Sequence, residues 1–187
     1  MGMPLPHTEW MVDMLNALPD DGNRYEVIDG ELFVTPAPSN VHQRAVQELV
    51  AMLLPFAKQL RLDLLHAPCA VTFSDRREVQ PDVLVMPRMS DGQFAEKFTD
   101  VGVLLLAAEV LSPHTRRTDR AVKRPLYQDE AVRDYWMVDT DARTIERWGP
   151  TSVRGEIFAD TITWQPLDTH ARFVFDVVQY FREVWGE

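Results

Sequence analysis

The chain has 187 residues, 45% of them hydrophobic, which is enough for a buried core, so we expect one domain spanning 1–187. Its net charge of −10 excludes diffuse attraction as the basis of strong nucleic-acid binding, and no run approaches the roughly 18 apolar residues of a membrane-spanning helix. Because the single cysteine, Cys69, cannot form an internal disulfide and the N-terminus lacks the basic and apolar regions of a secretion signal, we expect a cytoplasmic protein without a membrane partner.

The first sixty residues predict two helices and a hairpin. Apolar residues at helical spacing predict a short helix over 8–18, with Thr8 at its N-cap. Asp29-Gly30 is the pair that most favours a tight type I′ turn, and it separates the apolar runs 24–28 and 31–34, which predicts a β-hairpin. Ser39 begins a long amphipathic helix, which Pro55 is expected to kink or shorten.

The rest of the chain predicts a sheet with helices on both of its sides. The run 103–111 shows no alternation, which is typical of a central strand covered on both faces. Strands 70–73 and 79–86 are expected to pair antiparallel across the polar turn 74–77. The other predicted elements are strands at 62–66, 134–138, 143–148, 153–158 and 172–175, a helix from about Thr115, and a C-terminal helix from about Asp176. This pattern predicts the α/β class, with a mixed β-sheet flanked by helices.

Two carboxylates interrupt runs that ought to be buried strands. Asp82 lies in the apolar run that follows Pro81, and Glu109 lies near the end of the run 103–111. An unpaired ionised carboxylate in a low-dielectric core costs several kcal/mol, so a fold keeps one only where a metal or a cationic side chain compensates its charge. Asp82 and Glu109 are therefore candidates for a functional site.

Strand alternation predicts which face of its strand each acid occupies. Asp82 shares a face with Leu84 and Met86, and Glu109 shares a face with Ala107 and Leu111. If the two strands are neighbours, the carboxylates meet. Hard oxygen ligands of this kind suit Mg²⁺ or Mn²⁺, which could polarise a phosphoryl oxygen while a nearby lysine offsets developing charge. Lys123, on the following helix, is the candidate lysine.

The helix that carries Lys123 is basic. Between Ser112 and Tyr127 there are five cations and one anion, Asp119. At about 100° per residue the cations fall within an arc of roughly 120°, so they are expected to share one face that meets a phosphate backbone. Pro125 is expected to bend or restart the helix beyond this arc. The predicted nucleic-acid-binding residues on this face are Arg116, Arg117, Arg120 and Arg124.

An ordered series of motifs resembles the Uma-type putative restriction endonuclease family of the PD-(D/E)XK nuclease superfamily. The resemblance runs from about Trp10 to Trp148, and 149–187 is interpreted as a C-terminal extension of the same domain. Its motifs are Arg24-Tyr25-Glu26-Val27-Ile28-Asp29-Gly30-Glu31-Leu32, then His42, then Pro81-Asp82-Val83-Leu84-Val85, then Glu109-Val110-Leu111-Ser112-Pro113-His114-Thr115, then Asp119, Lys123 and Tyr127, then Asp134-Tyr135-Trp136-Met137-Val138-Asp139.

The resemblance implies a restriction-endonuclease-like fold and a divalent metal, Mg²⁺ or Mn²⁺, bound by Asp82 and Glu109. Elsewhere in the superfamily a lysine usually stands two residues after the second acid, where this chain has Leu111. In the Uma-type pattern the lysine has moved to the following helix, which gives Lys123. Glu26 and His42 match further family positions, and we include them among the candidate catalytic residues, with their roles left open.

Two functions follow as hypotheses. The first is a Mg²⁺-dependent endonuclease that hydrolyses DNA phosphodiester bonds, expected to be a homodimer because cutting both strands generally takes two active sites. The second is a nuclease fold without useful catalysis, which binds nucleic acid or a protein partner. The acidic net charge and the shifted lysine motivate the second hypothesis, and hydrolysis of a smaller phosphate ester is a distant third.

The candidate residues also have structural interpretations. Asp82 could cap a turn after Pro81, and His42 could be an ordinary surface or core histidine. Lys123 could be a surface partner of Asp119 four residues earlier, a pairing that contributes only a few tenths of a kcal/mol. The arginines could form a solvated face, and a hairpin turn explains Asp139 and Asp141 better than a metal pair does.

Overall fold

A computed structural model describes residues 9–168 and 171–187. Its elements in chain order are β1 (Arg24–Ile28), β2 (Glu31–Thr35), α1 (Asn40–Gln59), β3 (Leu62–His66), β4 (Val71–Ser74), β5 (Arg77–Val79), β6 (Val83–Pro87), β7 (Leu106–Val110), α2 (Arg116–Thr118), a π-helical turn (Asp119–Lys123), α3 (Arg124–Asp129), β8 (Asp134–Asp139), β9 (Thr144–Trp148), β10 (Glu156–Phe158), β11 (Thr161–Trp164), β12 (Phe173–Asp176) and α4 (Val177–Trp185). Short 3₁₀ helices cover Val12–Ala17 and Phe98–Asp100.

A mixed six-stranded sheet forms the centre of the fold, in the order β10-β9-β8-β7-β6-β3. β7 and β8 are parallel, and the other neighbours are antiparallel. Every residue of β7 is buried, which explains the lack of alternation in its sequence. α1 and α4 pack on one face, and α3 packs on the other together with a four-stranded sheet, β2-β1-β5-β4. The predicted α/β class, with a mixed sheet flanked by helices, is confirmed.

Several local predictions also hold. Asp29 and Gly30 both have positive φ, 52° and 84°, as a type I′ turn between β1 and β2 requires. The Ser39 hydroxyl accepts a hydrogen bond from the backbone N–H of His42 and begins α1. Pro55 lies inside α1 without ending it, because the helix continues to Gln59. Of the helices in the described residues, none has the length and apolar character needed to cross a membrane.

The predicted strand 79–86 is wrong as one element, because the chain changes sheets within it. β5 pairs with β4, as expected, but β6 pairs with β3 and β7 in the large sheet. Between them, Gln80 donates its backbone N–H to the Glu26 side chain, and Pro81 has no N–H to offer a neighbouring strand. Asp82 stands at the end of this break, immediately before β6.

Other element predictions need smaller corrections. The N-terminal helix is a 3₁₀ helix over Val12–Ala17, and its predicted N-cap, Thr8, lies outside the described residues. The run 103–111 contributes only β7, and Val103 is exposed. Sequence patterns missed β11, which pairs with β12 in a two-stranded sheet. These strands have only four residues each, too few for a clear alternation.

Candidate active site

The two interrupting carboxylates lie side by side at the junction of the two sheets. Val83 pairs with Ala108 across β6 and β7, and continuing this antiparallel register by one residue places Asp82 opposite Glu109. The backbone N–H of Val110 donates to Asp82 Oδ2 over 2.8 Å. Both acids are 2% exposed. The structure therefore brings the predicted pair together, with Glu109 on β7 and Asp82 immediately before the adjacent strand β6.

Asp82 is held ionised by three donors. Arg24 Nη2 lies 3.0 Å from Oδ1, and His42 Nε2 lies 3.0 Å from Oδ2, which also accepts the bond from Val110. Burial favours the neutral acid, but His42, Arg24 and the Val110 N–H outweigh it and lower the pKa of Asp82 to about 2. The alternative in which Asp82 only caps a turn is therefore inconsistent with its contacts, which come from three separate elements.

Glu109 has fewer compensating contacts. Its Oε1 accepts hydrogen bonds from Lys123 Nζ over 2.9 Å and from the Tyr127 hydroxyl over 3.1 Å. Burial raises the pKa of Glu109 well above its ordinary value, although Lys123 opposes the shift. The fold therefore disfavours a charge on Glu109 unless more positive charge enters the site.

Lys123 joins the two sheets through ion pairs. Its Nζ lies 2.8 Å from Glu26 Oε1 on β1 and 2.9 Å from Glu109 Oε1 on β7. The side chain is almost completely buried, and the pKa of Lys123 is nevertheless raised because these carboxylates and Asp119 outweigh burial. The alternative of a surface pair between Lys123 and Asp119 is wrong, since Lys123 pairs with Glu26 and Glu109 inside the protein.

A π-helical turn over Asp119–Lys123 directs the lysine inward. The Arg124 N–H donates to the carbonyl of Asp119, five residues earlier, and the Tyr135 hydroxyl donates to the same carbonyl over 3.2 Å. Pro125, in the first turn of α3, has no N–H and cannot form the regular helical bond to Ala121. π-helical insertions of this kind often occur at functional sites.

The prediction of one shared face for all five cations is wrong, because the π turn separates Lys123 from the arginines. Arg116 contacts Asp139 and Asp141, and Arg120 contacts Glu146. The Arg124 guanidinium lies 4.6 Å from the ring centre of Trp148. These three arginines, spaced four residues apart, therefore run along the β8–β9 hairpin. The Arg117 side chain is exposed and forms no ion pair or side-chain hydrogen bond within residues 9–168 and 171–187.

A cavity of about 420 Å³ opens onto the buried cluster of charged side chains around Asp82, Glu109 and Lys123. Its lining carries four carboxylates, those of Glu26, Asp82, Glu109 and Asp119, and two permanently charged cations, Arg24 and Lys123. With all four carboxylates ionised, the formal charge of these six groups is −2, which a divalent cation would neutralise. Because burial raises the pKa of Glu109 and that of Asp119, the full charge is favoured only when such a cation is present. The two histidines of the lining, His42 and His114, add charge only when they are protonated.

The donor chemistry of this cavity fits Mg²⁺ or Mn²⁺. No three His, Cys, Asp or Glu side chains in the described part of the chain form a group that could hold a metal ion together. Mg²⁺, however, usually takes only one or two carboxylates and keeps several waters. Asp82 and Glu109 would be those two, and the excess of carboxylates over cationic side chains around them gives the ion a physical reason to bind.

Three further residues take part in the site. They belong to the motifs of the family resemblance, but they are not among the predicted site residues. Arg24 pairs with Asp82, Tyr127 donates to Glu109, and Asp119 lines the cavity with 2% of its surface exposed. Burial raises the pKa of Asp119 to about 6, with Lys123 opposing. Alternation could have identified Arg24, because it lies two residues before Glu26 and therefore on the same face of β1.

Comparison with solved structures confirms the fold. A crystal structure described as a putative nuclease belonging to DUF820, from Anabaena variabilis ATCC 29413, superimposes with a TM-score of 0.75 and 21% sequence identity. The superposition covers 94% of this chain and 99% of that one. No curated protein matches the sequence.

Comparison with protein-family models identifies the family. The Uma2 model, described as "Putative restriction endonuclease", matches residues 12–178, about thirty residues further than the resemblance that ends near Trp148. The match includes β1, both interrupted strands and the π turn with Lys123. The chain therefore belongs to the Uma2 family of putative restriction endonucleases.

Proposed function

We propose that the protein is a Mg²⁺- or Mn²⁺-dependent endonuclease that hydrolyses DNA phosphodiester bonds. The observation that carries the proposal is the buried cluster at the junction of the two sheets. Its four carboxylates outnumber its two fixed cations beside an open cavity, and burial disfavours the charge on Glu109 unless a further cation enters the site. Buried carboxylates in excess of their cationic partners, with perturbed pKa values and an open cavity beside them, are typical of functional sites.

The contacts of the site residues indicate which of them would bind the cation and which would act on the substrate or position another residue. Asp82 and Glu109 would hold the cation, which when bound polarises a phosphoryl oxygen and lowers the pKa of a bound water. Lys123, fixed between Glu26 and Glu109, would place its ammonium beside the attacking water and the scissile phosphate. Glu26 would position Lys123, and His42 would orient the Asp82 carboxylate through its 3.0 Å contact.

Metal-dependent cleavage of supercoiled plasmid is the direct test. We expect nicking with Mg²⁺ or Mn²⁺, none with EDTA, and a loss of activity in Asp82→Asn. Asp63→Asn is the matched control, because Asp63 is a 7% exposed acid on β3 of the same sheet but outside the cavity lining. Intact DNA with both metals, or equal cleavage by wild type and Asp82→Asn, would contradict the proposal.

The second candidate function is a nuclease fold that binds nucleic acid or a protein without useful catalysis. The observation that favours it is that both Asp82 oxygens already accept bonds from Arg24, His42 and Val110. A cation must then compete with Arg24 for the carboxylate. Salt-dependent DNA binding without cleavage under any metal, together with no Mn²⁺ binding, would support this candidate over the nuclease.

Contacts to DNA phosphates are proposed for Arg116, Arg117, Arg120 and Arg124. Arg117 has the largest expected effect on binding because it is exposed and gives up no ion pair within the described residues. In fluorescence anisotropy, Arg117→Gln should reduce the slope of log K against log salt by about one. Arg154→Gln is the control, since Arg154 is an exposed arginine between β9 and β10. Equal slopes for the two variants would argue against a phosphate contact at Arg117.

A homodimer is also part of the proposal, because two active sites generally cut the two strands of a duplex. The segment 149–187 would supply the interface, and it exposes Ile157, Val174 and Val178. We further propose that the protein acts in the cytoplasm, where its single cysteine, Cys69, stays reduced.

A further inference from the structure

Asp119 is the one carboxylate of the cavity without an ion-pair partner in the described part of the chain. Its side chain is 2% exposed, and its Oδ2 is buried without a hydrogen-bond partner within residues 9–168 and 171–187. A buried acceptor that finds no donor in the protein costs free energy. Lys123 and the Thr115 side chain favour the ionised form of Asp119, but Oδ2 itself receives no donor, so the carboxylate is only partly compensated.

The position of Asp119 indicates what could supply the missing donor. It is the first residue of the π turn that ends at Lys123, and it lines the same cavity as Asp82 and Glu109. Lys123 directs its ammonium to Glu26 and Glu109 and lies beyond ion-pair distance of Asp119. A DNA phosphate would be repelled by the carboxylate, so the occupant next to Oδ2 must be a cation or a hydrogen-bond donor.

The surroundings of Asp119 favour a hydrogen bond from a donor over direct contact between its carboxylate and the cation. Asp119 does not belong to any group of three His, Cys, Asp or Glu side chains that could share one ion among the described residues. Mg²⁺ keeps several of its waters in protein sites, and each such water is a strong hydrogen-bond donor. The cavity of about 420 Å³ has room for these waters.

We propose that Asp119 is a third carboxylate of the cation site and accepts, through Oδ2, a hydrogen bond from a water bound to the cation of Asp82 and Glu109. This inference rests on the proposed function, since it needs a cation there. Partners that hydrogen-bond metal ligands fix their orientation, and losing one typically weakens metal binding by about 10- to 100-fold. Asp119 is therefore a positioning residue for that water.

Calorimetric titration of the full chain with Mn²⁺, without DNA, tests this role separately from cleavage. We expect Asp119→Asn to weaken Mn²⁺ binding by about 10-fold. Asp134→Asn is the matched control, because burial also raises the pKa of Asp134 to about 6, yet Asp134 does not line the cavity. The control should bind Mn²⁺ like wild type. Thermal unfolding without metal should show both variants at least as stable as wild type, which separates weakened binding from damage to the fold.

The outcomes distinguish this inference from the proposed function. Binding by Asp119→Asn within twofold of wild type, or an equal loss in Asp134→Asn, overturns the role of Asp119 alone. If wild type binds no Mn²⁺, or if Asp82→Asn and Glu109→Gln bind it as tightly as wild type does, the cation site itself is wrong. In that case both proposals fail.

Discussion

Lys123→Met should lower DNA cleavage by about 100- to 1000-fold and reduce the free energy of unfolding by about 3–5 kcal/mol. The lysine is buried between Glu26 and Glu109, at 2.8 and 2.9 Å. Methionine fills a similar volume but leaves two carboxylates without their cation in a low-dielectric environment. Plasmid cleavage and urea denaturation monitored by tryptophan fluorescence measure the two effects.

Two controls isolate the buried pairing of Lys123. Arg120→Met removes a cation from the same π turn, but the pair of Arg120 with Glu146 is partly solvated and should contribute less than about 1 kcal/mol. Adding Glu26→Gln to Lys123→Met removes one of the unpaired charges and should recover part of the stability without restoring cleavage. Equal stability losses in Lys123→Met and Arg120→Met would show that burial does not strengthen the lysine pair.

Asp82→Asn and Glu109→Gln should each reduce cleavage by about 1000-fold or more but change stability in opposite directions. Three donors stabilise the ionised form of Asp82 in the folded protein and lower its pKa from 3.8 to about 2. Losing that charge should cost about 2 kcal/mol at neutral pH. Burial raises the pKa of Glu109, so the neutral glutamine removes a penalty and should stabilise the metal-free protein.

The pH dependence of these two variants follows from the sign of each shift. The stability contributed by Asp82 is present above its unfolded pKa and is lost as pH falls from about 4 towards 2, so the deficit of Asp82→Asn should persist at neutral pH and disappear in this acidic range. The penalty at Glu109 grows as pH rises above its unfolded pKa, so the gain of Glu109→Gln should vanish below about pH 4.5. Urea denaturation across this range measures both trends, and parallel pH profiles for the two variants would contradict them.

The sequence predicts the acid pair only in part, because strand alternation is a local rule that places each acid on one face of its strand. The meeting of Asp82 and Glu109 also requires that β6 and β7 be neighbours, which the structure shows and alternation alone does not supply. Local rules of this kind do not predict that the Lys123 side chain points into the protein. This direction depends on the π turn, and one of the bonds that hold this turn comes from the Tyr135 hydroxyl on β8, a contact that no local periodicity encodes.

Sequence patterns predict little about the packing of the C-terminal third for a similar reason. Its strands are short, and its motifs add little to the resemblance that ends near Trp148, yet the family match extends to residue 178. α4 packs against α1, and the Tyr180 hydroxyl donates to the carbonyl of Ala45 over 2.9 Å. This segment completes one face of the main core through contacts distant in sequence, and periodicity within the segment does not reveal such contacts.

The break at Pro81 means that no single sheet contains the cluster. Glu26 belongs to the four-stranded sheet, Glu109 to the six-stranded sheet, and Asp82 to the short crossing between them, while Lys123 contacts both sheets. Docking of the two sheets is therefore a precondition for assembling the cluster. Loosening of this interface would disperse the carboxylates while each sheet kept its own strand pairing, so loss of activity would precede loss of secondary structure during unfolding.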